Sequence, residues 1–228
     1  MKTVSRRSFF GCTTAAMAGA LLVLAAAPSL AGETFEAALA DIQHRWAEAN
    51  YHEHGKEQKR AFDNLLDDAR DLASRNPERA EPLIWQGIVA SSFAGVKGPF
   101  GAMGLAKEAR DALEAAEAID PTALDGSVYT SLGALYYKVP GGIIGFGDDD
   151  LARRYLLKAL EVNPDGIDPN YFYGEFLYEQ KEYAQARQAL LRAQHAEPRA
   201  GRETADAGRQ TEISTLLEKV DRKLGSKG

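Results

Sequence analysis

The sequence predicts an all-α fold, a right-handed solenoid of helical hairpins with glycine-rich inserts in two repeats and a C-terminal capping helix. Three observations predict it. Apolar residues recur at helical spacing in successive runs from about residue 33 to residue 225. Several of these runs stop at a proline, and Pro164 and Pro198 stand 34 residues apart, the period of a stacking two-helix unit. A set of small residues recurs ahead of Pro121, Pro164 and Pro198.

Residues 1–31 read as a cleavable leader rather than part of the fold. Lys2, Arg6 and Arg7 supply the positive segment, an apolar run follows over residues 15–27, and Ser29, Leu30 and Ala31 give the small-residue cleavage pattern. The run Ser5-Arg6-Arg7-Ser8-Phe9-Phe10 resembles the twin-arginine export signal of bacteria, which implies a periplasmic protein translocated after folding. Cys12 precedes the apolar run and does not fit a lipid-modified cysteine. Cleavage after Ala31 leaves 197 residues with no cysteine, so the exported domain relies on packing rather than disulfides. Its charge is 24 basic against 33 acidic side chains. That balance opposes nucleic-acid binding, which needs a cationic face, and opposes simple adhesion to anionic lipid. After cleavage no stable membrane insertion is expected.

The domain of residues 32–228 begins with a helical pair over residues 33–77. Phe35, Ala38, Leu39, Ile42 and Trp46 form one apolar stripe, with Thr34 as N-cap. Phe62, Leu65, Leu66, Ala69 and Leu72 form the second, which stops at Asn76-Pro77 because the residue before proline is pushed out of the helical region. A polar turn over residues 51–56 joins them, and the pair reads as a divergent repeat capping the stack.

Three closer repeats follow, over about residues 78–121, 122–164 and 165–200. The first carries Gly87, then Ala109-x3-Leu113, Ala116 and Pro121. The second carries Tyr129-x2-Leu132-Gly133-x2-Tyr136, then Ala152-x3-Leu156, Ala159 and Pro164. The third carries Gly174, then Ala186-x3-Leu190, Ala193 and Pro198. Gly and Ala at these positions let the two helices of a repeat approach closely, while Leu and Tyr fill the space between neighbours. Over about residues 81–200 these sets resemble the tetratricopeptide-repeat superfamily, whose pattern is W-x2-L-G-x2-Y, then A-x3-F and a closing proline. A charged stretch with Arg199, Arg202 and Arg209 comes next. A capping helix over about residues 203–225 then bears Ile213, Leu216, Leu217, Val220 and Leu224.

Only the last repeat has the regular length. Pro77 to Pro121 spans 44 residues and Pro121 to Pro164 spans 43. The excess is expected between the two helices of each repeat, as loops over residues 93–107 and 139–147, both glycine-rich and apolar. Stacked repeats place corresponding inserts on one edge, so the two are expected to be neighbours. Asp148, Asp149 and Asp150 then cap the next helix rather than hold a cation.

Two candidate binding surfaces follow. In the tetratricopeptide superfamily the first helices of the repeats line a concave face, and the resemblance places Ser91, Ser92, Thr130, Tyr137, Tyr171, Glu175 and Tyr178 there. Either this is a groove for a peptide or helix, with tyrosine giving rigid contact area and a hydroxyl, or the C-terminal helix folds into it and the tyrosines are core. The carboxylate-gripping variety of these domains uses Lys, Asn and Arg at positions that here hold Ile84, Ile88, Thr130, Ala134, Tyr171 and Glu175, so that function is not expected. The second surface is the inserts, where Phe93, Phe100, Met103, Ile143, Ile144 and Phe146 either form apolar lips around a ligand or partner or pack on the fold.

Catalysis finds no support. The exported domain has no cysteine and no G-x-S-x-G elbow. Gly142-x-x-Gly145-x-Gly147 lacks the strand before it and the Lys-Ser/Thr after it that a phosphate loop needs. His52 and His54 sit in a polar turn without a metal-binding spacing, so no metal or cofactor is expected. These readings converge on a non-catalytic periplasmic scaffold or adaptor for a protein partner. A second reading is small-molecule handling. The layout also resembles the tetratricopeptide-type accessory component of periplasmic substrate-capture (TRAP-type) transporters, which implies pairing with a solute-binding protein and an apolar ligand.

Overall fold

The computed structural model describes residues 34–225 of the chain, with the side chains of residues 99 and 100 set aside. The leader expected over residues 1–31 lies outside the described residues. Nine helices make up the described part: α1 (Phe35–Tyr51), α2 (Gly55–Arg75), α3 (Ala80–Lys97), α4 (Pro99–Ile119), α5 (Ala123–Lys138), α6 (Asp149–Val162), α7 (Ile167–Glu179), α8 (Tyr183–Gln194) and α9 (Glu203–Gly225). None of these is long and apolar enough to cross a membrane.

Local chemistry sets the helix ends. The Thr34 hydroxyl accepts from the Ala37 N–H at 3.2 Å and starts α1. The Asp148 carboxylate accepts from the Leu151 N–H at 2.8 Å and starts α6, with Asp149 and Asp150 against the positive end of the dipole. Asn76, kept out of the helical region by Pro77 with φ −133° and ψ 58°, ends α2 and donates from its side chain to the Leu72 carbonyl at 2.8 Å.

The architecture is a stack of helical hairpins, α3 with α4, α5 with α6 and α7 with α8. One contact repeats in all three. A Cβ added at Gly87, Gly133 or Gly174 would stand 2.5, 2.6 or 2.7 Å from Cγ of Leu113, Leu156 or Leu190. Those leucines are fully buried, as are Ala109, Ala152 and Ala186 four residues before each. The leucine therefore occupies the volume that any side chain at the glycine would need. Each contributes about 1.5–3 kcal/mol of burial.

The first insert is not a loop. Residues 93–107 are helical apart from the junction at Gly98, where φ is 85° and Pro99 opens α4, and Gly101 in the first turn, where φ is 103°. The added residues lengthen both helices, because Val89 and Phe93 continue one buried stripe one turn apart. Gly95 and Gly104 have nothing within 4 Å and lower helix propensity without ending the helix. Phe93 is consequently no lip residue. It is 2% exposed and stacks on Phe62 with ring centres 6.2 Å apart.

The second insert is an irregular loop. It is pinned by the Gly147 N–H donating to the Pro140 carbonyl and the Asp148 N–H donating to the Tyr136 carbonyl, both at 3.0 Å. The inserts do meet. A Cβ at Gly145 would lie 3.0 Å from Met103 Cε, and the Arg110 guanidinium sits 4.7 Å from the Phe146 ring centre.

The last helix does more than cap. α9 packs on α8 through Ile213, Leu217 and Val220, and it also reaches α7 and α1. Gly208 faces the Tyr51 ring at 2.5 Å from where a Cβ would stand, and the Tyr51 hydroxyl donates to Glu212 at 3.3 Å. The stack is closed from its first helix to its last.

Replacing Gly133 with alanine forces Leu156 out of its rotamer or parts α5 from α6. Urea unfolding of Gly133→Ala is expected to show a loss of about 1–3 kcal/mol, whereas Gly104→Ala, with open space at the site, is expected to be neutral or stabilising.

Candidate functional site

Because α1, α3, α5 and α7 present one face to a common interior and α9 contacts both α7 and α1, the concave side is a chamber walled on several sides and open on the rest. Its volume is ≈ 380 Å³ at a small polar cleft beside Tyr137 and Lys138 and ≈ 820 Å³ in the main space. The main space falls within the range of about 300–1,000 Å³ usual for small-molecule sites.

The two edges of the chamber differ in chemistry. In a stack of hairpins, the turns inside a repeat and the linkers between repeats lie at opposite ends of the helices. At the edge of the turns inside the repeats the lining is Gly95, Met103, Ala106, Leu135, Val139 and Pro140. At the linker edge it is Asn163, Asp165, Asp168, Arg199 and Arg202. The aromatic wall between them includes Trp46, Trp85, Tyr171 and Phe172. Leu124 and Asp125, which also border the space, and the following Gly126 have φ of 50°, 56° and 72°. This left-handed turn delays the regular part of α5 until Ser127.

The residues expected on the concave face divide. Ser92, Thr130, Tyr171 and Glu175 line the chamber. Ser92 accepts from Trp46 Nε1 at 2.9 Å, which ties α3 to α1. Tyr171 is 7% exposed and lies under the Arg209 guanidinium at 4.4 Å. Tyr137 turns away from the main space, packs on Phe176 and donates to Glu175, and burial pushes its hydroxyl well above the usual range. Tyr178 packs on Tyr183 outside the lining.

The insert residues divide as well. Met103 lines the chamber and Phe93 belongs to the core. Phe100 lies in the first turn of α4. Phe146 packs edge-on against Tyr136 at 5.7 Å and is a structural residue. Among the described side chains of the inserts, Ile143 and Ile144 stand free at the loop tip, 107% and 77% exposed.

Sequence reasoning missed the charged floor. Asp168, in the first turn of α7, accepts from Arg209 Nε at 2.8 Å and from Arg199 at 2.7 Å. Arg209 also holds Glu212, and Arg199 also holds Asp206. Burial alone would raise the Asp168 carboxyl, but the charges of Arg209 and Arg199 outweigh it and bring it down to about 2. Asn170, fully buried, donates to the carbonyls of Pro164 and Gly166 at 2.7 and 2.9 Å and accepts from Arg192 at 3.0 Å. It fixes the linker on which Asp168 sits. Arg199 and Arg209, close together in one charged stretch, were the available signal for the floor. The acid they surround lies 41 residues before Arg209 and gave none.

No family model matches this sequence, and no curated protein matches it. Among solved structures the chain is similar to that described as the crystal structure of MamA, at 18% identity and a TM-score of 0.43, over 75% of this chain and 94% of that one.

Asp168 gives the floor a defined acid sensitivity. Its carboxyl titrates at about 2 folded against 3.8 ordinarily, so its contribution is complete above about pH 4 and is lost as the pH falls toward 2. Measured by urea unfolding, the stability gap between the native chain and Asp168→Asn is expected to shrink by about 1 kcal/mol between pH 6 and pH 3. An unchanged gap would mean the carboxylate is not held by the arginines.

Proposed function

We propose that this chain is a non-catalytic, exported tetratricopeptide-like binding protein that holds a small, largely apolar molecule in its chamber. One observation carries this reading: α9 contacts both α7 and α1 and walls one side of a deep, largely aromatic and aliphatic concave space. An open groove would suit an extended peptide, which needs free passage along the first helices. A walled space with an aromatic and aliphatic lining suits a compact ligand. The charge balance and the leader-like residues 1–31 support a periplasmic setting. Together with the walled chamber they support the role of an accessory component in a periplasmic solute-capture system of the TRAP type.

A separate observation favours a protein partner in the same reading. Ile143 and Ile144 are two large apolar side chains presented at the tip of a loop whose base is pinned by backbone hydrogen bonds. A fixed, apolar tip is an economical docking element for a partner such as a solute-binding protein.

Native mass spectrometry of the protein purified from the periplasm is expected to show a bound small molecule that is lost on denaturation. A mass equal to the bare chain, with no molecule recovered by solvent extraction, would overturn the reading. The double variant Ile143→Ser/Ile144→Ser is expected to keep its Tm within about 1–2 °C, since surface changes usually stay within about 0.5 kcal/mol, while weakening partner capture. Phe146→Ser is expected to lose about 1–3 kcal/mol by thermal or urea unfolding, because it removes a packed ring.

A further inference from the structure

Four basic side chains line the chamber, and three of them have a carboxylate partner. Lys138 holds Glu175 at 2.6 Å, Arg199 holds Asp168 and Asp206, and Arg209 holds Asp168 and Glu212. Arg202 is the exception among the described residues. It lies over the Trp85 indole at 5.0 Å, makes no ion pair, and its Nε is closed off from solvent with no hydrogen-bond partner. The Trp85 indole N–H beside it is likewise buried and unpartnered. Two adjacent donors left unsatisfied in one wall are unusual, because each costs about 1–3 kcal/mol when removed from water.

The electrostatics point the same way. Burial is the largest effect and lowers the Arg202 pKa, the neighbouring charge of Arg199 also lowers it, and Asp168 and Asp206 raise it without restoring it. Arg199, Arg202 and Arg209 stand against Asp168, Asp206 and Glu212, so the cluster is balanced in total charge, but none of the three carboxylates pairs with Arg202. Asp125, Asp165 and Glu197 also border the space, but they are exposed and solvated at its rim. They do not neutralise Arg202, and they oppose ligands of high negative charge.

We propose that Arg202 and Trp85 form the head-group site for a monoanionic carboxylate whose apolar body runs along the chamber toward Met103, Ala106 and Leu135. A guanidinium presents a planar fork of N–H donors that matches a carboxylate, and the aromatic face beneath holds that fork in place. The opposite edge of the chamber is aliphatic, so the ligand is an amphiphile, acidic at one end only. The inference rests on the reading of the chamber as a small-molecule site and specifies the chemistry of its ligand.

Both tryptophans of the chain, Trp46 and Trp85, line the chamber, so intrinsic fluorescence reports on it directly. The test titrates the full-length protein with decanoate and with decan-1-ol, each below its aggregation limit, and follows fluorescence and heat. Decanoate is expected to bind about tenfold or more tightly than decanol, and Arg202→Gln is expected to reduce decanoate to the level of decanol while leaving decanol binding unchanged. Equal binding of the two by the native chain would overturn the carboxylate site and leave the chamber reading standing. Binding of neither would overturn both. Should Arg202→Gln fail to fold, the comparison of the two ligands on the native chain still decides.

Discussion

The close approach of glycine and leucine within each hairpin is the constraint on which the rest depends. Gly87, Gly133 and Gly174 have no room for a side chain, because Leu113, Leu156 and Leu190 already occupy it. The contact fixes the separation of the two helices at the same height in three successive repeats. That equality lets α3, α5 and α7 stack with one face turned inward, and the chamber is the space those faces enclose. No interaction in the site needs to be strong for the site to exist.

Much of this was legible in the sequence, because the signals involved are local. Prolines marked the ends of α2, α6 and the third repeat, Asp148 and Thr34 marked helix starts, and the glycine and alanine spacings gave the hairpin pairing. The first insert misled because four glycines at every third position read as a loop. A glycine costs a helix only about 1 kcal/mol, and the packing of Phe93 on Phe62 outweighs it. The closure of the stack was not legible. Nothing near Gly208 in sequence indicates that it faces Tyr51, and nothing near Asp168 indicates Arg199 and Arg209. Of the residues that repeat register puts on the concave face, Ser92, Thr130, Tyr171 and Glu175 line the chamber. Tyr137 and Tyr178 pack outside its main lining, because a register counts positions and does not resolve which way a ring turns.

The charged floor illustrates how buried ions are tolerated. Removing a charge from water costs several kcal/mol, and pairing rarely more than offsets it. Here Asp168 receives two arginines, each of which reaches a second carboxylate, and Arg202 balances the total charge of the cluster without pairing with any of the three. Such a network contributes little net stability, and its effect is geometric. It locks α7 to α9 and the linker after α8, and so holds the wall that carries Arg202 in a fixed position against Trp85.

The contact between α1 and α9 changes the kind of object the stack is. In an open array of repeats each unit touches only its neighbours, so the ends fray first and stability grows by addition of repeats. With Tyr51 seated on Gly208, the first and last elements are neighbours too, and neither terminus is an end in that sense. Loosening at any one seam is then felt all round the ring, which makes the fold a single cooperative unit rather than a linear series. It also fixes the repeat number: a unit added or removed would carry α9 past α1, and the chamber would lose its wall.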